Sequence, residues 1–246
     1  MNKTHIIIGS GNLAWHFARW LTLHNRKTMI IARNETEAQK IANAFSIELI
    51  SAIDDTADTI VLYALRDDCI AAESARHNFK NATEVHFSGS LSIDALQAKN
   101  KGVVWPVATL VKGEVVDFEK VKWVMQGKLD WLNILPFTTF AEVFSDEDRR
   151  KKHLVAVVLN NFVYHLGVLV KEYQREETLD IFSFLMEQTI DKIKASADAG
   201  LQTGPARRGD VQTVQAHLKE LENHPQLRKI YQLMSSLIAE VHEQKL

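Results

Sequence analysis

The chain has 246 residues, 46% hydrophobic and 24% charged, with 29 basic against 31 acidic side chains and a net charge of -2. At ~150 residues per domain this supports one large or two modest domains, each able to bury an apolar core without staples. The near-neutral balance lacks the cationic surplus that phosphate-backbone binding requires, which argues against nucleic acid as a partner.

The single cysteine, Cys69, forms no intrachain disulfide, and no Cys/His cluster has metal-ligand spacing, so no metal is expected and a reducing, cytoplasmic setting fits best. Met1 to His5 leads into a strand-like run without signal-peptide character. The longest aliphatic run, Leu154 to Leu159, is far shorter than the ~20 residues of a membrane span, so a soluble protein with no membrane partner is expected.

Up to about residue 110, short β-branched runs alternate with stretches of helical periodicity, the pattern of βαβ units around a parallel sheet. Strands are predicted at His5 to Ile8, Thr28 to Ala32, Thr59 to Ala64, Glu84 to Phe87 and Gly102 to Trp105, with a weaker one at Ser46 to Ile50. Helices are predicted at Asn12 to Leu23, Glu35 to Phe45, Asp68 to Asn78 and Ser92 to Ala98. Leu13, Phe17, Trp20 and Leu21 give the first helix one apolar face for the sheet. Between Val116 and Phe144 a strand at Val121 to Met125, a helix within Trp131 to Phe140 broken at Pro136, and an edge strand are expected. After Ser145 strand signals vanish, which divides the chain into an α/β domain, 1–145, and an all-helical domain, 146–246. Ser145 and Asp148 form the pattern of a capping box at that junction.

The most informative segment is Ile6-Ile7-Ile8-Gly9-Ser10-Gly11-Asn12-Leu13-Ala14, a G-x-G-x-x-A motif between a strand and a helix. Gly9 permits the turn, Gly11 lets backbone approach a pyrophosphate, and Ala14 allows close helix–strand packing. Ser10 lies within the turn, and the helix presents the N–H groups of Asn12 and Leu13, with its positive dipole end, to the diphosphate. At the end of the second strand Arg33 stands 22 residues after Gly11, where NAD-specific proteins usually place an acid. Its guanidinium suits a 2′-phosphate and Asn34 can add a neutral hydrogen bond, so NADP is favoured over NAD. Glu35 and Glu37 would repel that phosphate if they turned inward, and a solvated surface arginine is the alternative. Beyond the next strand, Ala64 and Leu65 are expected beside the cofactor, with Asp67 or Asp68 capping the following helix.

These residues resemble the dinucleotide-binding domain of the pyrroline-5-carboxylate reductase and 6-phosphogluconate dehydrogenase superfamily. His86-Phe87-Ser88-Gly89-Ser90, Gly102 to Thr109, His153 to Phe162 and Gln202 to Asp210 add a more specific resemblance. It is to a bacterial family of candidate NADP oxidoreductases that joins a Rossmann-like domain to a helical C-terminal domain of unknown function. The resemblance covers almost the full length. It implies a Rossmann-like doubly wound parallel sheet, then a helical domain of the 6-phosphogluconate dehydrogenase C-terminal type that makes a homodimer, with the active cleft between domains. Relatives often carry His or Tyr where this chain has Trp105, whose indole offers one N–H and no titration near neutrality.

A nicotinamide carries hydride chemistry itself, so the protein must orient a small-molecule substrate and supply a hydrogen bond or proton. Ser88 is a candidate for that contact or a turn former, with Ser90 or Ser92 capping the next helix. Asn161 shares one side of a long helix with His153 and His165, and is the candidate to meet substrate or carboxamide; the two histidines read as structural. Arg207 and Arg208 either hold an acidic substrate or cofactor phosphate or pair with Asp210. An NADP(H)-dependent oxidoreductase acting on a small carbonyl, imine or hydroxy acid is the leading expectation. A non-catalytic NADP-binding sensor is the alternative, and a dimer whose pocket is blocked by Trp15 or Trp105 ranks third. No serine-hydrolase elbow or P-loop is present in the sequence.

Overall fold

The computed structural model describes residues 3–127, 140–142, 145–175 and 178–243. The chain divides into two compact units, Met1–Ala156 and Val157–Leu246. In the first, β1 (Thr4–Ile8), α1 (Asn12–Leu23), β2 (Lys27–Ile31), α2 (Glu35–Phe45), β3 (Glu48–Leu49), β4 (Thr59–Tyr63), α3 (Asp67–His77) and β5 (Thr83–His86) alternate along the chain. They are followed by β6 (Asn100–Pro106), β7 (Trp123–Gly127), β8 (Phe140–Glu142) and α4 (Asp146–Ala156).

The sheet order is β3-β2-β1-β4-β5-β6-β7-β8, and neighbours from β3 through to β6 are parallel. β7 then runs antiparallel to β6, and β8 parallel to β7. This is the Rossmann order, with its topological switch point between β1 and β4. The continuous apolar runs of β1 and β4 are buried, as parallel strands covered on both faces require. Ala14, Phe17, Ala18 and Leu21 bury the inner stripe of α1 completely. Phe17 meets Phe87 at 4.2 Å between ring centroids, and Trp20 stacks on Trp123.

α1 and α2 occupy the predicted spans, and Asn34 caps α2 by accepting the Glu37 N–H. The helix expected over Ser92 to Ala98 is instead a single 3-10 turn, Ile93–Ala95. The Gln97 N–H donates to Ser74 Oγ and the Ala98 N–H to Glu84 Oε2, both at 2.8 Å. Those amides are thereby drawn out of any helical ladder to satisfy a buried hydroxyl and a buried carboxyl group. The strand after Val121 begins two residues late, at Trp123. The helix expected within Trp131 to Phe140 lies outside the described residues, apart from Phe140 in β8.

The second unit opens with a π-helical segment, Val157–Phe162, and continues through α5 (Val163–Gln174), α6 (Ser183–Ala195), α7 (Val211–Glu220) and α8 (Pro225–Val241). α7 and α8 are tied by His217 Nδ1 and Tyr231 Oη at 2.8 Å, and Tyr173 of α5 lies edge-on to His224. α6 buries none of its side chains, although it carries Phe184, Leu185, Met186, Ile190 and Ile193. Asp146–Gln174 is one helix long and apolar enough by length and composition to cross a membrane. Its first turns are nevertheless highly charged, and Arg149 in them is completely buried in the first unit.

Candidate dinucleotide and reaction site

The turn after β1 is fixed by two backbone bonds, Gly9 N–H to Ile31 O on the β2 side and Ala64 N–H to Ile8 O across the switch point, each 2.9 Å. Gly9 has φ +130°, and a Cβ there would lie 2.2 Å from the Ala64 carbonyl oxygen. Glycine is therefore required twice, for conformation and for space. Gly11 differs: its φ of -85° is open to any residue, and a Cβ would meet nothing within 4 Å. It also precedes α1 with no side-chain cap, and the first turn of α1 holds no acid. The amides of Asn12 and Leu13 thus stand at a positive helix end beside open space, which suits a diphosphate.

A cavity of about 850 Å³ lies at the ends of β1 and β2 and is lined in part by Ile8, Ala32, Arg33, Leu65 and Cys69, but by none of Gly9 to Leu13. Neither Trp15 nor Trp105 lines it. Arg33 is exposed and, among the described residues, makes no hydrogen bond or ion pair. Glu37 is turned to Lys40 and Lys112 at 2.5 and 2.8 Å, which hold its carboxyl down at about 2. Glu35 does line the cavity, whereas Asp68 and Glu73 there are paired with Arg66 and Arg76. Asn34 spends its carbonyl oxygen on the α2 cap and keeps its amide donors. Ala64 is buried beside Gly9.

At the ends of β4 and β5 a second polar cluster forms. Neither Asp67 nor Asp68 caps α3, whose N-cap Arg66 has no side-chain cap bond, contrary to the sequence expectation. Asp67 Oδ2 instead accepts from Ser88 Oγ at 2.6 Å and from Ser90 Oγ at 2.9 Å. Ser88 Oγ in turn accepts the N–H groups of Ser90 and Leu91 at 3.1 and 2.9 Å. One donor and two acceptor sites are all that a hydroxyl has, so Ser88 forms the turn and has no unused bond for a substrate in this arrangement. His86 is fully buried, accepts the Ser88 N–H at Nδ1 and contacts Ser92 O through Nε2. Burial, reinforced by the Arg149 charge, lowers its pKa to about 4, so the ring is neutral at pH 7.

Arg149 anchors α4 onto this cluster by donating to Leu91 O, to Gln126 Oε1 and, at 2.9 Å, to Asp146 Oδ1. Asp146 also accepts from Ser92 Oγ and, at 3.2 Å, from the Ile93 N–H. One turn further along α4, the His153 ring lies where a Gly89 side chain would be, with Cδ2 only 2.4 Å from an ideal Cβ. The ring also meets Trp105 edge-to-face at 5.4 Å between centroids. Sequence reading missed Asp67, His86, Asp146 and Arg149 as a set. No motif in the sequence links these four; Gly89, where a side chain would strike the His153 ring, is a trace only of the neighbouring contact with α4.

The remaining candidates lie in the second unit. Asn161 is exposed within the π-helical segment, where Asn160 Nδ2 donates to its Oδ1 at 2.9 Å. Arg207 donates to Gln202 O. Asp210 caps α7 through Thr213, and among the described residues forms no ion pair with Arg207 or Arg208.

Residues 139–238 match the model of a domain family of unknown function, DUF2520. A search of curated proteins gives no match. Among solved structures, the chain is similar to a Bacteroides fragilis protein described as a candidate NADP oxidoreductase, with 25% identity and a TM-score of 0.83 over 97% of this chain and 98% of that one. It is also similar to a reductive aminase from Aspergillus terreus in complex with NADPH4, cyclohexanone and allyl amine (11% identity, TM-score 0.71, 98% and 93% covered). An imine reductase from Myxococcus stipitatus in complex with NADP+ is a third (12%, 0.66, 98% and 94%). The last two likenesses, at such low identity, are of fold alone.

Proposed function

We propose that the protein is an NADP(H)-dependent oxidoreductase that acts on a small carbonyl, imine or hydroxy acid. The observation that carries this reading is the contrast between Gly9, packed against Ala64, and Gly11, which has open space at the uncapped start of α1. Gly9, Ser10 and Gly11 would hold a diphosphate with the Asn12 and Leu13 amides, and Ala64 and Leu65 would flank the next part of the dinucleotide. Arg33, with Asn34 beside it, supplies the free cation for a 2′-phosphate. When bound, a dihydronicotinamide supplies the hydride. The likeness to NADP-associated reductases supports this reading, and with it a catalytic role over that of a silent sensor.

The helical unit is proposed to form a homodimer. A 13-residue helix with no buried side chain and five exposed large apolar ones does not persist alone in water, so α6 needs a partner surface. Asn161, Arg207 and Arg208 are proposed substrate or phosphate contacts of this unit.

The test is a paired titration with NADPH and NADH on the native chain and on Arg33→Asp, with turnover on a panel of small carbonyl and imine compounds. Tighter binding of NADPH by roughly 10- to 100-fold, lost in the variant, is the expected outcome. Equal affinity for the two nucleotides would remove the argument from Arg33. Tight NADPH binding without turnover would favour the sensor.

A further inference from the structure

We infer that His153 is the proton donor of this site, an inference that rests on the oxidoreductase reading above. In a doubly wound sheet the ligand lies beyond the carboxyl ends of the strands, and from the β2 tip a dinucleotide runs across β1 toward the ends of β4 and β5. The adenosine end would then take the cavity at Arg33, and the reacting end would face the loop 87–90 that follows β5.

Most polar side chains of that region are already spent. Ser88 has no free bond, Asp67 holds two serines, His86 is buried and bonded at both nitrogens, and Arg149 is enclosed. His153 is different. Its ring is partly exposed and, among the described residues, neither of its nitrogens makes a hydrogen bond. The ring is also held in place: Gly89 lacks the side chain that would occupy its position, and Trp105 packs edge-to-face with it. α4 is itself fixed to the sheet by buried Arg149 one turn earlier. A positioned imidazole with unused nitrogens is the arrangement a general acid requires.

In the reducing direction, as the new C–H bond forms at the substrate carbon, the imidazolium of His153 gives its proton to the carbonyl oxygen or imine nitrogen. The π electron pair of the C=O or C=N bond becomes the new O–H or N–H bond, and the neutral ring is reprotonated by water. In the oxidising direction the neutral ring takes the same proton.

The test has two arms. In the first, the histidine ring resonances of the native chain are followed by NMR, with that of His153 assigned by its loss in His153→Gln. NADPH is added in one titration and 2′-phospho-ADP-ribose, which lacks only the nicotinamide, in the other. The His153 signal is expected to move with NADPH and to stay in place with the truncated nucleotide. Its staying in place with both, or moving equally with both, would overturn the inference while leaving nucleotide binding intact. Absence of NADPH binding would remove both the inference and the function on which it rests. In the second arm, His153→Gln is compared with the native chain on a cyclic ketone and on an N-methylated cyclic iminium cation, whose reduction needs no proton. kcat for the ketone is expected to fall 10²- to 10⁴-fold, with the iminium substrate nearly unaffected and KM little changed. Equal losses on both substrates, or no loss on either, would overturn the assignment.

Discussion

Ser88 donates its hydroxyl hydrogen to Asp67 Oδ2 at 2.6 Å, joining the loop after β5 to the first turn of α3. This bond converts an apparent helix cap into a brace between two strand ends. Asp67→Ala removes the acceptor of both Ser88 and Ser90, and a loss of about 1–3 kcal/mol is expected. Asp67→Asn retains an acceptor and is expected to lose less. Hydrogen exchange at the amides of 88–91 checks the location: these are predicted to exchange faster in Asp67→Ala, and unchanged protection there would contradict the brace.

Acid weakens the fold through two buried histidines. Burial lowers both His5 and His86 to about 4 from an ordinary 6.5. Between those values the unfolded chain binds protons that the folded chain refuses, so stability is complete above pH 6.5 and is lost as the pH falls toward 4. The loss is on the order of 3 kcal/mol for each histidine. Urea unfolding at pH 7 and pH 5 is predicted to show a smaller drop in His86→Gln than in the native chain. Identical drops would contradict a neutral, buried His86.

Glu84 is fully buried and, among the described residues, forms no ion pair. It accepts instead from Tyr63 Oη at 2.5 Å, from Ser74 Oγ at 2.9 Å and from the Ala98 N–H at 2.8 Å. Burial first, and then this bond to Glu84, raises the Tyr63 pKa, so the phenol stays protonated and donates. Tyr63→Phe is predicted to cost roughly 1–3 kcal/mol, the cost of leaving a buried polar group short of a partner. Glu84→Ala should cost more, because it leaves three donors unpaired in the interior. Chemical denaturation of the two variants checks that ranking.

The fold was legible where the deciding interactions are local. α1 and α2 follow from apolar spacing and from Asn34, whose cap reaches only to Glu37. Ser145 Oγ accepts the Asp148 N–H at 3.1 Å as the sequence implies, and the Asp148 carboxylate accepts in return from the Ser145 hydroxyl at 2.7 Å. The features that escaped depend on contacts between distant residues. The Ser92 to Ala98 stretch has helical periodicity, but Ser74 and Glu84 claim its last amides. Arg149 sits in a run of charges that reads as a solvated helix face, and only Leu91 and Gln126 make it interior. The packing of His153 against Gly89 and Trp105 likewise joins residues far apart in the chain.

The two glycines of the turn after β1 test the central claim most directly. Gly9→Ala would drive a Cβ into the Ala64 carbonyl at a positive φ, and is expected to unfold or severely destabilise the chain. Gly11→Val meets open space and should leave the melting temperature nearly unchanged. The decisive measurement is therefore calorimetric titration of NADPH into native protein and Gly11→Val. The predicted result is an equally stable variant with affinity reduced at least ~100-fold, a loss of about 2.7 kcal/mol. Native affinity in Gly11→Val would contradict it, because the space over Gly11 would then not be where the diphosphate rests.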